Sequence, residues 1–267
     1  MKMQETFEEA GFLSRQAKRS IHDLRAGSRV SFDLAYDLNE LMMRTALAAM
    51  NAAQGHNWTQ QTVAVRLLLR TSESFQGVIL LSERGMVSPA RALVRMIVED
   101  SLCAAALLEK PDEVIRMLRD DAETSRRGQA AFISEQQLGD DPAMLAKLRA
   151  AVETMEKKNS RIDWKKMAKI STMLPQYLNY QRLSDGAVHT SASSLDRHIV
   201  RDPEGNGWTY RIGPGEPGDI DATLHRGILA AIPVALVVTQ VVPDSRTNAA
   251  LVALESRFLA LPTGNTV

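Results

Sequence analysis

One cysteine, Cys103, serves all 267 residues, and it lies in an apolar run. A lone thiol forms no internal disulfide, so a reducing compartment fits and an inert core thiol is expected. An excess of charge is lacking too, since 32 lysines and arginines balance 32 aspartates and glutamates. Proteins that hold duplex DNA by bulk attraction carry a basic excess, which argues against that class and leaves room only for a local basic patch. No apolar signal core follows the charged start at Lys2, Glu5, Glu8 and Glu9. The most apolar stretch, Ile228 to Val242, is broken by Pro233, Thr239 and Gln240 and is too short for a membrane span. The expectation is a cytoplasmic protein without membrane contact. Metal and cofactor signatures are missing as well. His22, His56, His189, His198 and His225 are scattered, with no HExxH, no CxxC and no phosphate-binding glycine loop. Neither a metal nor a cofactor is expected.

Glycine is sparse before Gly186 and clusters after it, so the long stretches between turn signals read as helices rather than strands. Leu34, Leu38, Leu41, Met42 and Leu47 recur at helical steps between Phe32 and Asn51. Thr59 is the cap candidate for the next helix, along which Val63, Leu67, Arg70, Ser74, Val78 and Leu81 trace one side. Ser88-Pro89 predicts a start for a helix reaching about Leu108. Pro111 predicts another to about Gln137, and Asp141-Pro142 a third ending near Asn159. Trp164–Met173 and Pro175–Asp185 are short helical candidates, with Gly186 bending or ending the second. Ser193 or Ser194 caps a further short helix. Asp202 to Asp219 is rich in glycine and proline, with a strand or two around Trp208 to Ile212. A helix from Asp221, kinked or stopped at Pro233, and one from about Arg246 to Leu259 complete the chain. Ile232 to Val242 reads as buried helix, because an isolated strand lacks partners. The expected fold is an all-α multi-helix bundle in one domain, residues 1–267. A peripheral N-terminal helix occupies 1–30, the main bundle 31–201, a Gly/Pro-rich loop 202–219 and the C-terminal helices 220–260.

Within the apolar run from Pro89 to Leu108, Arg91, Arg95 and Glu99 fall at four-residue steps and line one face. A lone buried charge is very costly, so Arg95 and Glu99 must be paired. Arginine before glutamate is the weaker i,i+4 order, which calls for a third partner. The helix with Arg66 and Arg70, or the segment near His189, can supply it. Such a stripe either sets helix register or shapes a cleft.

The segment Tyr180-Gln-Arg-Leu-Ser-Asp-Gly-Ala-Val-His189 crowds a general base, a permanent cation and several hydroxyls. On a continuous helix Arg182 and His189 return to one face about 10 Å apart at their α-carbons. Facing a common phosphate, neutral His189 takes the proton from a ribose 2′-hydroxyl while the Arg182 guanidinium stabilises the growing charge. That chemistry is metal-free RNA cleavage. Tyr180 and Ser184 are candidates to position the phosphate, with Arg95, Glu99 and His198 in the same cleft. The plainer reading leaves His189 at a helix end and Arg182 as a surface cation.

Arg91-Ala-Leu-Val-Arg95 with Glu99, followed by Tyr180, Leu183-Ser184-Asp185, His189 and Ser194-Leu195, resembles an uncharacterised helical bacterial family, domain of unknown function 5677, over roughly residues 35 to 240. The Arg182–His189 spacing is also similar to the HEPN superfamily. Its members are helical bundles, often dimeric, and many are metal-independent ribonucleases of toxin or defence systems. That resemblance implies catalytic roles for Arg182 and His189, a helper role for Glu99, and a homodimer. Leu183, where a polar residue is common, and Gly186 inside the segment depart from the pattern. Two function classes stand side by side: an RNA endonuclease, and a non-catalytic helical interaction or regulatory module of bacterial defence. The second requires an exposed apolar patch for self-association or a protein partner. A pocket for an acidic ligand at Arg91, Arg95 and Glu99 is a third possibility.

Overall fold

Turn residues and caps divide the chain where helix chemistry demands it. The computed structural model describes residues 5–139, 141–155 and 160–261. Three short helices come first: α1 (Phe7–Ala10), α2 (Arg15–Arg19) and α3 (Ile21–Gly27). They replace the single peripheral helix expected there, because Thr6 and Ser14 cap separate starts. Four long helices follow: α4 (Arg29–Ala52), α5 (Gln60–Ser82), α6 (Val87–Glu109) and α7 (Pro111–Glu135). Thr59 caps α5 by accepting from the Thr62 amide at 3.2 Å, and Pro111 opens α7 at its first position.

Shorter pieces come next: α8 (Pro142–Thr154), α9 (Trp164–Ile170), α10 (Leu174–Leu183), a π-helical turn over Ser184–Val188, and α11 (Ala192–Asp196). Asp141 caps α8 through the Ala143 amide. The helix end expected near Asn159 lies outside the described residues. A two-stranded antiparallel ribbon, β1 (Ile199–Arg201) and β2 (Trp208–Tyr210), precedes α12 (Pro217–Val241) and α13 (Ser245–Leu259).

Three sequence expectations need correction. Ser88 does not cap α6, which begins at Val87 with Met86 as its uncapped flank. Pro89 still fits, because it sits among the first four amides, which have no partner inside the helix. Neither Ser193 nor Ser194 caps α11; Ser191 does, accepting from the Ser194 amide while the Ser194 hydroxyl accepts from the Ser191 amide. Finally, α12 begins at Pro217, four residues before Asp221, and does not stop at Pro233. An interior proline costs about 3 kcal/mol. Its apolar neighbours Ile228, Ile232, Val234 and Val238 are buried, and that burial offsets the cost.

The core lies where α12 packs against α4, α5 and α6. Gly227 lets α12 approach closely, since a Cβ there would meet Phe75 at 3.4 Å and Val94 at 3.6 Å. α10 and the π turn lie against α6, and α13 closes the far side against α4 and α12. At the α5–α6 corner Gly85 has φ +71°, and its carbonyl accepts from the Gly215 amide at 2.8 Å. A Cβ on Gly85 would sit 2.4 Å from Pro214. The glycine-rich stretch is thereby pinned to the bundle. The N-terminal helices are tied in by Arg25, which donates to both Glu83 and the Tyr36 hydroxyl. Among the described residues, α12 is the one helix long and apolar enough to cross a membrane, and 67% of its most apolar window is buried in the protein.

Gly85→Ala is expected to destabilise the fold by about 2 kcal/mol or more, through the left-handed backbone and the collision with Pro214. Gly128→Ala, in open space on α7, should instead stabilise by about 0.5–1 kcal/mol. Urea unfolding of both variants checks the contrast.

Candidate functional site

α6 is the central helix, and its polar side chains reach three different neighbours. Arg95 donates from Nε to Ser184 Oγ at 2.7 Å and from Nη2 to the Tyr180 hydroxyl at 2.9 Å. The same nitrogen lies 3.1 Å from Glu99 Oε1, and the guanidinium sits 4.7 Å from the Tyr180 ring centre. The Ser184 hydroxyl in turn donates a hydrogen bond to the Tyr180 carbonyl at 2.8 Å. Tyr180 is held in turn by stacking on Tyr177. The third partner required by Arg95 and Glu99 is therefore the segment leading to His189. Four of the sequence-derived site residues, Tyr180, Ser184, Arg95 and Glu99, meet in one network joining α10 to α6.

The side chains of Arg95 and Glu99 are only 17% and 11% exposed. Burial raises the Glu99 pKa, with Arg95 and Arg70 opposing it. The neighbouring Asp100, 1% exposed, accepts from Arg70 and from Thr71 Oγ1 on α5, the latter at 3.1 Å. Burial still dominates and pushes Asp100 up to about 6. The reading along one face missed Asp100, because it lies one residue off the four-residue steps. Its signal was a second acid in an apolar run, opposite Arg70 on the preceding helix. Burial also pushes the Cys103 thiol up to about 12, which keeps it protonated and unreactive.

Arg182 and His189 do not ride one continuous α-helix. α10 ends at Leu183, and the π turn follows with the His189 amide donating to the Ser184 carbonyl at 3.0 Å. Gly186 lies inside this turn, where the wider loop takes up an extra residue. His189 then leaves in extended conformation, with its side chain exposed. Arg182 is exposed as well and lines a cavity of 80 Å³ with Arg91, Asn179 and Arg226. His189 is not among its walls.

A groove of 700 Å³ shares Arg91 and Gly186 with that cavity. Arg197, His198 and Arg211 line it, the 212–215 loop forms one wall, and Phe7 and Phe12 form another. Arg91 donates to Asp219 at 2.8 Å and to Thr223 at 3.1 Å on α12, so it faces the groove rather than the Arg95 network. Arg211 pairs with Glu216 at 3.0 Å. Arg197 and Arg226 are half-buried and have no hydrogen-bond or ion-pair partner among the described residues. Burial, followed by repulsion from Arg91, lowers the pKa of both. Such surroundings favour an anion. Among the described residues no group of three or more histidines, cysteines or acids is placed to hold a metal.

Arg95→Met should cost about 3 kcal/mol, because Glu99 is left buried without its cation. Arg95→Met with Glu99→Met should recover a large part of it, and a double-mutant cycle in urea measures the coupling. Asp100 gives a pH signature. Its folded pKa is raised, so its contribution is fully present below the unfolded value and is lost as pH rises through about 6. The Asp100 contribution to stability should therefore grow by up to about 3 kcal/mol as pH falls from 7 toward 4, from about two pKa units at 1.36 kcal/mol each, against an opposing loss from half-buried His225, whose pKa burial lowers. Asp100→Asn should flatten this slope in unfolding experiments run across that range.

The groove arginines Arg91 and Arg197, the Arg95 network and the π turn all fall between α5 and the ribbon. Residues 61–206, which span this region, match the model of the Family of unknown function (DUF5677). The match is narrower at both ends than the 35–240 implied by the sequence resemblance, and leaves α4 and α12 outside. Comparison with curated proteins and with solved structures gives no match. With more than half of its residues inside the family model, the chain belongs to DUF5677.

Proposed function

We propose that the chain is a non-catalytic helical interaction module that acts as a homodimer, paired through the outward face of α4 and α5. The residues that suggested substrate binding, Tyr180, Ser184, Arg95 and Glu99, are engaged with one another instead. The observation that carries the reading is an apolar stripe on α4. Tyr36, Met43, Leu47 and Met50 recur at steps of seven, four and three, and all are exposed. Their angular positions fall on one side of the helix, opposite the core-facing Leu38, Leu41, Met42 and Thr45.

α5 extends the stripe. Its Gln76 amide donates to Met43 Sδ at 3.3 Å, and Tyr36 donates to Glu83. The same antiparallel register sets exposed Leu69 beside Met50, with exposed Leu80 toward the other end. Soluble monomers rarely leave such a continuous apolar strip in water. A second copy is the occupant favoured by charge. Glu40 and Arg44, paired at 3.3 Å, put both signs on the flank of the stripe. A two-fold axis brings the same patch onto itself, so each sign can meet its opposite.

Light scattering during gel filtration should give twice the chain mass at micromolar concentration. Met43→Glu with Leu47→Glu should return a single folded chain by circular dichroism. A wild-type monomer throughout that range would sink the proposal. The second reading is a HEPN-like RNA endonuclease using Arg182 and His189, favoured by both side chains being solvent-exposed at the two ends of the π turn. EDTA-resistant RNA cleavage that disappears in His189→Ala would establish it and displace the non-catalytic reading.

A further inference from the structure

Two arginines on the groove and cavity walls lack what half-buried arginines normally have. Every other guanidinium on α6, the ribbon or the groove rim that is drawn inward finds an acceptor: Arg91 finds Asp219 and Thr223, Arg95 finds Ser184 and Tyr180, and Arg211 finds Glu216. Arg226, one turn beyond Thr223 on α12, and Arg197, just after α11, find none among the described residues. Each feels Asp219 as the opposing charge, yet that carboxylate already accepts from Arg91. Desolvating a cation without a partner is costly, so a fold that holds two of them on adjoining cavity walls leaves an electrostatic demand unmet.

We propose that this arginine-walled site binds a small organic phosphate. The terminal phosphate group occupies the cavity between Arg91, Arg182 and Arg226, and the body of the ligand lies in the adjoining groove by Arg197. Arginine suits this chemistry, because its planar fork gives two parallel hydrogen bonds to an oxyanion. Asn179, at the same cavity, supplies an uncharged amide donor. Dimensions separate the two parts. The 80 Å³ cavity takes a compact oxyanion, and the 700 Å³ groove lies within the roughly 300–1,000 Å³ range of small-molecule sites. Phe7 and Phe12 give the groove an apolar wall opposite its cations, so the ligand body has a face to bury. A carboxylate offers two oxygens and one charge, and so satisfies fewer of the donors than a dianionic phosphate, which offers three terminal oxygens.

The site uses none of the residues of the α4–α5 stripe, so it stands or falls apart from self-association. Titration calorimetry with pyrophosphate as the probe should give saturable binding that weakens as sodium chloride is added. Arg226→Gln and Arg197→Gln should each weaken it about tenfold or more, the loss of one charge-assisted hydrogen bond. Neither substitution removes an internal partner and each removes an uncompensated charge, so both variants should unfold no earlier than the wild type, which separates lost binding from lost fold. Arg126→Gln, exposed on α7 and lining neither cavity nor groove, should bind as the wild type does. A short single-stranded RNA tests the other source of phosphate. If RNA binds and is lost in Arg226→Gln while pyrophosphate neither binds nor competes, the small-ligand proposal is overturned. Wild-type protein that ignores pyrophosphate, or glutamine variants that bind it equally well, would overturn it too.

Discussion

Ionised groups in the middle of an apolar helix have to be answered by neighbours, and α6 carries four. Arg91 is answered by Asp219 and Thr223 on α12, Arg95 by Tyr180 and Ser184 on α10 and the π turn, and Asp100 by Arg70 and Thr71 on α5. Glu99 shares Arg95. Apolar packing alone tolerates sliding and rotation between helices, because dispersion contacts are individually weak and non-directional. Hydrogen bonds to a charged group tolerate neither. Arg91, Arg95 and Asp100 therefore each fix the height and rotation of a different neighbour, and α5, α10 and α12 acquire one mutual arrangement. The Asp100 carboxylate is costly to hold ionised even beside Arg70. Its contribution is to geometry more than to stability.

Much of this order was legible in the sequence. Helical periodicity located α4, the Thr59 cap located the start of α5, and Pro111 and Asp141-Pro142 located the starts of α7 and α8. The four-residue steps of Arg91, Arg95 and Glu99 exposed the need for a partner, and Tyr180 and Ser184 supplied it. The errors share a physical cause. Ser88 and Pro233 were read by local preference, which burial and tertiary contact override. The uninterrupted α12 follows from its place in the core, which no local signal reports. Arg197 and Arg226 carry no signal in the sequence for a related reason. A cation is notable only when its partners are absent, and absence of partners is a property of three-dimensional neighbours.

The fold divides its charges between two uses. Along the Arg95 network, charges close on one another and leave little for solvent or ligand. Along the groove, arginines outnumber the acids that answer them, although the whole chain is neutral. Overall neutrality therefore says little about local potential in a bundle of this size, because a few helix ends can concentrate one sign in a concave place. The loop that walls the groove is held at Gly85 and Gly215, so its shape depends on the α5–α6 corner as much as on its own sequence.

The π turn at Ser184–Val188 has a bearing on how such chains are compared. A turn of this kind holds one residue more than the α-helical turn it replaces at the end of α10, and one residue is about 100° of rotation. Two homologues that differ by a single deletion there would superpose closely up to Leu183, yet present everything beyond it on a different side. In an alignment that change is one gap character. In space it swings the extended segment that carries His189 around the helix axis, so gaps in this stretch carry more structural meaning than substitutions beside them.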